Sequence, residues 1–542
     1  MSKKYSKIVT ILFIITILSK ITGMLRESFI ASAFGTSYKV DAYNIAYIIP
    51  FLLFSLIGPA ITTTFIPILS ETYEQNGKNA MYKLANNVIS IIIVITMVTF
   101  LFGQIFPNVF VDILAPSFNN QTKQLAIELT RISIINVLFI GINYGFMAIL
   151  NVLGEFTSTG ISGLLLNLPI IVYVLIANRY SINQLMFFTM IGYGMQIVAH
   201  IPFLIKHKYK YKINIDLRDS RIKKMLILII PIIIGIGVNQ VNVIIDRMMA
   251  SGLQEGTIAA MGYANKTNEI LYTLFTGSVM VVIFPMMSKD ANKGDNYRTF
   301  KENILKVEKM TMFIIIPATL FLAYLRKDVI TILFKYGQFN NQALEYTSIA
   351  LFYLSFSTIF YALRDVYNKG LLALQDTKTS VINTSFGMLI NILINLLTVK
   401  SLGIVGLCLA TSISSLITCF LLRRSLYKRI NIKSSKREVL SIIKILGNCI
   451  ITLIIMNILN TNIHNLLGKD INSVIKVFIN SLSGVFIYIF ISYITKTPEL
   501  IYIFNEIKIK IKKKNKSGVT KILDCDIETK SASNESSYFE NL

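Results

Sequence analysis

The chain has 542 residues, of which 54% are hydrophobic and 15% are charged, and its formal net charge is +24. Its mean hydropathy of +0.61 is far above that of a soluble globular chain and excludes a water-soluble domain as the main structure. Apolar stretches of roughly twenty residues recur to about position 495, and each is long enough to cross a hydrocarbon core of about 30 Å as a helix.

The apolar windows, separated by polar breaks, predict an all-α membrane protein with about fourteen transmembrane helices. The first six are expected near 8–34, 42–70, 84–106, 130–153, 160–178 and 183–205. Six more are expected near 225–250, 258–287, 308–325, 343–372, 379–400 and 403–422, and a final pair near 438–460 and 473–495.

These segments predict five consecutive regions. They are an N-terminal six-helix bundle at 1–206, a basic cytoplasmic linker at 207–224, a C-terminal six-helix bundle at 225–430, two additional transmembrane helices at 431–498, and a basic and then disordered cytoplasmic tail at 499–542. Two roles are open for the additional pair of helices: a side groove for a long lipid tail, or lateral packing against the bundles.

The positive charge is concentrated between the predicted helices. The basic clusters are Lys3, Lys4 and Lys7; Lys206, Lys208, Lys210, Lys212, Arg218, Arg221, Lys223 and Lys224; Arg423, Arg424, Lys428, Arg429, Lys433, Lys436 and Arg437; and the run from Lys508 to Lys516. Cytoplasmic loops carry an excess of Lys and Arg, so these clusters predict that both termini are cytoplasmic. Topology and anionic lipid headgroups explain the net charge better than nucleic-acid binding does.

The cysteines and histidines do not form a pattern of metal ligands. The four cysteines are far apart in sequence, and three of them fall in apolar helices. The three histidines are divided among a helix end, the basic linker and a predicted external loop. We therefore expect neither a metal nor a cofactor.

An internal repeat relates the two predicted bundles. Its matching segments are FIPILSE at Phe65–Glu71 with IFPMMSK at Ile283–Lys289, VFVDILAPSFNN ending at Asn120 with VITILFKYGQFNN ending at Asn341, and LGEFTST around Glu155 with LQDTKTS around Asp376. The offset stays near 220 residues, and an even number of helices separates the copies. The halves therefore have the same orientation, which predicts two six-helix bundles related by an axis along the membrane normal and facing one central cavity.

Several charged residues fall inside predicted helices, where each costs at least about 2.5 kcal/mol on insertion scales. The first helix contains Ser19, Lys20, Arg26 and Glu27, the second begins near Asp41, the seventh ends in Asp246 and Arg247, and the eighth contains Asn265, Lys266 and Glu269. Such groups normally face protein or a water-filled cavity, so they outline a candidate pathway. The alternative is that they are interfacial side chains that snorkel toward the headgroups.

The spacing of these charges predicts their pairing. Arg26 and Glu27 point about 100° apart on a helix, so we expect Arg26 to need another partner, for which Asp41 is the candidate. Lys266 and Glu269 are three residues apart and are expected to pair on one helix face. Cations in a cavity suit an anionic headgroup such as a pyrophosphate, and the carboxylates could also hold a counter-ion or a proton.

The chain resembles the MviN/MurJ family of lipid II flippases, which lies in the multidrug/oligosaccharidyl-lipid/polysaccharide exporter superfamily. The segments that carry the resemblance are SKITGMLRESFIASAFG at Ser19–Gly35, VDAYNIAYIIP at Val40–Pro50, FIPILSE at Phe65–Glu71, DRMMASGLQEGTIAAMGYANKTNE at Asp246–Glu269, FKYGQF at Phe334–Phe339 and LLALQDTKT at Leu371–Thr379. They span both halves, so the similarity covers nearly the whole chain.

The resemblance implies fourteen helices, a V-shaped central cavity and a bacterial inner-membrane flippase. It would carry undecaprenyl-pyrophosphate-linked disaccharide-pentapeptide outward by alternating access, with membrane lipids and cell-wall synthesis proteins as further partners. Arg26, Asp41 and Glu269 match charged positions of the family's cavity, whereas Lys20 and Lys266 stand where the family usually has arginine. With Ser19, these residues form the expected substrate site. Candidates for a coupling or supporting role are Glu27, Asp246, Arg247 and Asn265.

The second helix departs from the family pattern. Phe54 and Ser55 replace a pair of arginines, and Gly58-Pro59-Ala60 replaces an acidic-glycine segment. Fewer cations leave another polyprenyl-linked surface polysaccharide unit open as the cargo. A multidrug or cation antiporter is less well matched because the first helix is cationic, and the short external loops lack the paired groups of a membrane enzyme. A purely structural role would leave the charges inside the helices unexplained.

Overall fold

The computed structural model describes residues 3–55, 58–291, 295, 297–432, 436–467 and 473–502, and every regular element in these ranges is an α-helix. In the first half of the chain they are α1 (Lys3–Phe34), α2 (Tyr38–Ser55), α3 (Gly58–Ile105), α4 (Pro107–Leu114), α5 (Asn120–Ser133), α6 (Asn136–Val152), α7 (Thr157–Ile176) and α8 (Ile182–Lys206). The remainder are α9 (Ser220–Ser251), α10 (Thr257–Ala291), α11 (Arg298–Tyr324), α12 (Arg326–Phe334), α13 (Asn341–Ala373), α14 (Thr377–Leu402), α15 (Ile404–Arg429), α16 (Lys436–Leu467) and α17 (Ser473–Ile494).

Nine helices in the described ranges are long and apolar enough to cross a membrane by themselves. They lie at Ile61–Ile105, Asn120–Val152, Thr157–Ile176, Ile182–Lys206, Asn341–Ala373, Thr377–Leu402, Ile404–Arg429, Leu440–Thr461 and Ser473–Ile494. Four further helices, α1, α9, α10 and α11, have 27 to 35 residues and carry more polar groups. With α2, these elements confirm the predicted all-α membrane protein with about fourteen transmembrane helices.

The second and third predicted helices meet at Gly77 within α3. Its backbone has φ 77° and ψ 179°, which is not helical, so two helical segments are joined there at a kink. A side chain at this position would have nothing within 4 Å, which shows that the backbone conformation, and not space, requires glycine. The windows 42–70 and 84–106 therefore lie on opposite sides of this glycine.

The repeated sequence motifs occupy equivalent places in the two halves. The short helices α4 and α12 each precede an Asn-Asn pair, and the first asparagine of each pair caps the next long helix. Asn119 accepts a hydrogen bond from the Thr122 backbone N–H, and Asn340 accepts one from that of Ala343, both at 2.8 Å. An N-terminal cap of this kind satisfies a backbone donor that the helix cannot. The helix order of the first bundle thus recurs in the second, as the parallel repeat requires.

The described residues form two compact units. Among these residues, those within 1–304 and 322–431 form the first unit, and those within 305–321 and 432–502 form the second. In the first unit, a buried apolar core includes Ile30 of α1, Ile45 of α2, Ile258 of α10 and Leu351 of α13, so it draws on both halves of the repeat. The domain limits predicted from the sequence stay predictions.

In the second unit, the middle of α11 packs against α17. The rings of Phe313 and Tyr488 are 5.2 Å apart, and the Tyr488 hydroxyl donates a hydrogen bond to the Phe313 carbonyl at 3.2 Å. The predicted basic tail from Lys508 to Lys516, with all of 503–542, lies outside the described residues, as do the side chains of Lys3, Lys4 and Lys7.

The linker between α8 and α9 is attached to α3. Asn87 donates to the Asp216 carbonyl and accepts from the Asp216 N–H, both at 2.8 Å, and the Tyr209 hydroxyl donates to Asn86 at 2.5 Å. The side-chain amides of these asparagines provide hydrogen-bond partners for backbone groups of the linker, which has no helix to satisfy them. The basic residues of this segment are thereby held beside the part of α3 that follows Gly77.

Candidate functional site

Arg26 of α1 is buried inside the first unit and is held by three groups. Its guanidinium pairs with Glu27 and donates hydrogen bonds to Asn167 of α7 at 3.2 Å and to the Tyr47 hydroxyl of α2 at 3.5 Å. The expected pairing of Arg26 with Asp41 is therefore wrong. Adjacent side chains start about 100° apart on a helix, but both are long enough to bend toward each other. Burial favours this contact because an unpaired charge would be costly there.

The Tyr47 ring covers the Arg26 guanidinium, and two further tyrosines pack against Tyr47. The Tyr47 ring centre lies 5.5 Å from it, and Tyr43 and Tyr193 lie 5.9 and 6.2 Å from Tyr47. Tyr43 also hydrogen-bonds Thr189 of α8 at 2.9 Å. The interaction of a cation with ring faces adds to the ion pair when water is excluded. Sequence analysis missed Asn167, although a lone amide in an apolar helix was a visible signal.

A second ionic cluster joins α1 to α10. Glu269 accepts hydrogen bonds from Lys266 at 2.7 Å and from Lys20 at 2.9 Å. The pairing of Lys266 with Glu269 is confirmed, whereas the contact with Lys20, across the two halves of the repeat, was not predicted. The three side chains are 40% to 51% exposed. Because they lie on helices that cross the membrane, their exposure fits a water-filled pathway.

An open groove of about 440 Å³ begins beside this cluster. It is lined by Ser19 and Lys20 of α1 and by residues of α6 and α7 that include Gly160 and Gly163. A side chain at Gly163 would lie 2.6 Å from the Ser19 hydroxyl, and one at Gly160 would lie 2.6 Å from Ile15. The two glycines therefore allow α1 to approach α7 closely beside the exposed lysine.

Asp41 joins α2 to the start of α10 in another part of the first unit. Its two carboxylate oxygens accept hydrogen bonds from the backbone N–H groups of Gly256 at 2.6 Å and Ala259 at 2.8 Å. It thus caps the N-terminus of α10 from α2, where an acidic group also interacts favourably with the helix dipole. The carboxylate is buried and is directed at backbone groups.

Loops of the two halves meet tightly beside this cap. The Tyr263 hydroxyl donates to the Gly35 carbonyl at 3.1 Å, and the Gln338 N–H donates to the Ser32 carbonyl at 2.8 Å. Gly256 leaves no room for a side chain, whose first carbon would lie 2.5 Å from the Thr36 carbonyl oxygen. The halves are therefore closed against each other at the end of the first unit that contains Asp41.

Asp246 of α9 lies in a network of amides. It accepts hydrogen bonds from Asn395 of α14 at 2.8 Å and from Asn242 at 3.3 Å, and Asn395 donates to Asn391 at 2.9 Å. The Arg247 guanidinium interacts electrostatically with Asp246 and Asp41. Asn265 is exposed on α10. Polar side chains of α14 are thus connected to the seventh predicted helix.

A polar group on α13 extends the ionic cluster of α10 and was missed by sequence analysis. The Tyr272 hydroxyl, one helical turn beyond Glu269, donates to Asp365. Arg364 lies 3.9 Å from Asp365 and 4.6 Å from the Tyr361 ring centre. The adjacent Arg-Asp pair inside the apolar window 343–372 was the signal that could have identified it.

The residues that replace the family's arginines in the second helix do not contribute charge to the site. Phe54 is buried with its ring 5.3 Å from Tyr144, and the Ser55 hydroxyl donates to the Leu52 carbonyl of its own helix at 2.8 Å. Both positions therefore serve packing. Among the described residues, the cations placed to meet a ligand here are those of α1, α10 and α13.

A repeated membrane bundle with exposed charges between its halves defines the chain as a multi-pass membrane transporter. A family model described as "Lipid II flippase MurJ" matches residues 30–478. The match covers most of the sequence, and the chain belongs to this family.

Individual relatives agree with this assignment. A probable lipid II flippase MurJ of Buchnera aphidicola subsp. Baizongia pistaciae is 27% identical over 421 residues, covering 77% of this chain and 82% of the relative. A solved structure of lipid II flippase MurJ in an inward closed conformation has a TM-score of 0.76 and 26% identity, covering 89% of this chain and 98% of its own. An inward-facing multidrug resistance MATE transporter of the MOP superfamily shares the fold, with a TM-score of 0.63 and 13% identity over 78% of this chain and 98% of its own.

Proposed function

We propose that this protein carries lipid II, the undecaprenyl-pyrophosphate-linked peptidoglycan precursor, from the inner to the outer leaflet of the bacterial cytoplasmic membrane. Both termini are cytoplasmic in this proposal, and the cargo changes sides without a covalent reaction. The two six-helix bundles, 1–206 and 225–430, move against each other around the site. The observation that carries the proposal is the exposed cluster of Lys20, Lys266 and Glu269, which joins α1 to α10.

The cluster can exchange its anion. Glu269 accepts hydrogen bonds from the ammonium groups of both Lys20 and Lys266. The oxygens of a pyrophosphate can accept the same charge-assisted hydrogen bonds. When the cargo binds, phosphate oxygens replace the Glu269 carboxylate at Lys20. The direct link between α1 and α10 is then exchanged for one through the ligand. A ligand shifts a conformational equilibrium only by its difference in affinity between the two states, and this exchange supplies such a difference.

Arg26 and Asp41 act on the same transition from buried positions. Arg26 holds α1 against α2 and α7 and keeps the exposed lysine in place. Asp41 holds the second half of the repeat closed against the first by binding the N-terminus of α10. Outward opening requires Asp41 to release these N–H groups, and water or another donor then solvates the carboxylate. Asp246, Arg247, Glu27 and Asn265 support this change, and Asp246 is the carboxylate placed to hold a counter-ion or proton during it.

A second cargo is favoured by one observation. Phe54 and Ser55 supply no cation where the family usually has two arginines, so fewer groups are available for a pyrophosphate. Another polyprenyl-linked surface polysaccharide unit is the alternative substrate. Depletion of the protein in its native bacterium, followed by mass spectrometry of undecaprenyl-linked lipids, separates the two. Lipid II accumulates with cell lysis if the first proposal is correct, whereas a different glycan accumulates in viable cells if the alternative is correct.

A further inference from the structure

The linker between α8 and α9 is attached to α3 at several points. The Asn214 N–H donates a hydrogen bond to the Ser90 hydroxyl at 3.2 Å, and the hydroxyls of Ser90 and Tyr211 are hydrogen-bonded at 2.9 Å. Residues 209–216 contain no helix or strand, so these bonds, with those of Asn87, fix the course of the backbone. The exposed side chains of the linker therefore have a defined position beside α3.

Four exposed cations of the linker are not used in ion pairs. The neighbouring carboxylates are engaged by other residues. Lys206 pairs with Glu155 at 2.5 Å, and Arg221 pairs with Asp219 at 2.6 Å. No ion pair among the described residues includes the cations of the segment 208–218, which are Lys208, Lys210, Lys212 and Arg218. The segment contains one carboxylate, Asp216, and so has an excess of three positive charges. Such an excess attracts an anionic partner.

Large apolar side chains lie among these cations. Ile213, Ile215 and Leu217 are 54% to 80% exposed. Leaving three such side chains in water is unfavourable, because their apolar surface stays hydrated. Exposed cations beside exposed apolar groups suit the boundary between lipid headgroups and hydrocarbon, where the apolar groups are buried and the ammonium groups reach the headgroups.

The position of the segment along α3 agrees with this boundary. Beyond Ser90, α3 is continuously apolar over 91–95, and Val94 and Val98 are exposed. Exposed apolar side chains on a membrane-spanning helix face lipid. The hydrogen bond between Asn214 and Ser90 therefore places the linker beside the point where α3 enters the hydrocarbon.

We propose that the segment 208–218 binds the headgroups of anionic phospholipids at the membrane surface. Its ammonium and guanidinium groups contact the phosphates, while Ile213, Ile215 and Leu217 enter the adjoining hydrocarbon. An acidic peptide or a nucleic acid would match the charges but would leave the apolar side chains in water. The segment is separate from the cluster of Lys20, Lys266 and Glu269, so this binding does not depend on which cargo is carried.

Tryptophan fluorescence provides the test, because the chain contains no tryptophan and a single introduced one reports its own surroundings. Full-length Ile213→Trp is placed in nanodiscs with equal amounts of phosphatidylglycerol and phosphatidylcholine. Only one of the two lipids carries bromine on its acyl chains, which quenches tryptophan on contact. Brominated phosphatidylglycerol should quench at least about twofold more than brominated phosphatidylcholine, and added salt should reduce the difference. Phe486→Trp, exposed on the apolar helix α17, should be quenched equally by both lipids.

Charge variants identify the cations responsible for this preference. Glutamine at three lysines of the segment should remove more than half of the preference at position 213; these are Lys208, Lys210 and Lys212. A matched triple variant removes three lysines in or beside α5 and α12 and should keep the preference; it changes Lys123, Lys327 and Lys335 to Gln. Ile215→Trp is a second probe of the same surface, and it makes the test independent of whether Ile213→Trp folds.

Three results would overturn the proposal. Absence of quenching by either brominated lipid would place the segment in water or against another macromolecule. Equal quenching by the two lipids would show apolar contact without binding of anionic headgroups. A preference that survives loss of the three linker lysines, or that is lost equally in the matched variant, would assign it to the overall charge of the protein.

Discussion

Arg26 and Lys20 lie on the same helix but use their charges in different ways. The side chain of Arg26 is 8% exposed, and its guanidinium contacts Glu27, Asn167 and Tyr47. The side chain of Lys20 is 51% exposed and shares Glu269 with another lysine. A buried charge that is held by several partners is expensive to disturb, whereas an exposed one exchanges partners at little cost. The difference assigns Arg26 to organising the site and Lys20 to contacting the cargo.

Arg26→Ala tests the organising role of Arg26, and we expect it to have the largest effect. The change leaves the Glu27 carboxylate, which is 14% exposed, without its cation, and removing one partner of a largely buried pair costs up to about 3–5 kcal/mol. Transport should be abolished and the free energy of unfolding should fall by that order, as measured by complementation and by unfolding of the purified protein.

The double variant Arg26→Ala with Glu27→Ala is the control. It removes both charges and should recover much of the lost stability without recovering transport. A single Arg26→Ala variant that is stable and fully active would contradict the organising role and leave Arg26 as an ordinary packing residue.

Asp41→Asn should have the second-largest effect. The asparagine oxygen can accept a hydrogen bond from only one of the two backbone N–H groups, and the negative charge at the N-terminus of α10 is lost. Weakening a cap in this way costs about 0.5–2 kcal/mol. We expect the closed end to open more often and transport to fall. The opening can be measured with a cysteine introduced at Thr36 (Thr36→Cys) in a protein without the native cysteines. A maleimide should label this cysteine faster when Asp41→Asn is also present.

The matched control for this cap is Asp112→Asn, an exposed partner of Lys123 that should change neither labelling nor transport. Equal labelling rates with and without the Asp41→Asn substitution would show that the carboxylate does not hold the closed end together.

Replacing Lys20 and Lys266 should reduce transport with little loss of stability, in contrast to the replacement of Arg26. Lys20→Ala and Lys266→Ala each leave Glu269 with one cation, and the exposed pairs contribute about 0–1 kcal/mol to stability. Each single variant should transport less, and the double variant should not transport at all, while unfolding changes by less than about 1 kcal/mol.

Arginine at Lys266 should be tolerated, since it retains the charge and adds a bidentate fork. Transport by the Lys20→Ala, Lys266→Ala double variant at the wild-type rate would place the cargo's anion elsewhere, and Arg364 of α13 would be the next cation to replace.

The same distinction explains what could be predicted from the sequence. The helices followed from apolar windows, and the contact of Lys266 with Glu269 followed from a spacing of three residues, because both depend on local geometry. The contacts of Lys20 with Glu269 and of Arg26 with Asn167 join residues 249 and 141 positions apart, and no local spacing encodes them. Asp41 was assigned the wrong partner because backbone N–H groups at a helix terminus leave no side-chain signature.

The smallest expected effect concerns Glu155, outside the membrane-spanning segments. Hydrogen bonds from Lys206 and His207 hold the pKa of this carboxyl below its usual value of 4.5. A carboxyl whose pKa is lowered by folding contributes stability that is complete above its unfolded pKa and is lost as the pH falls through the folded value. Unfolding followed between pH 7 and pH 3 should therefore show a contribution of Glu155 that disappears only below about pH 4.5, and Glu155→Gln should remove that part of the curve. Glu345, which is exposed and paired with Lys327, provides a comparison at the surface, and Glu345→Gln is measured in parallel. A Glu155→Gln curve that matches wild type at every pH would mean that this partly shielded ion pair is as exchangeable as the exposed pairs of Lys20 and Lys266.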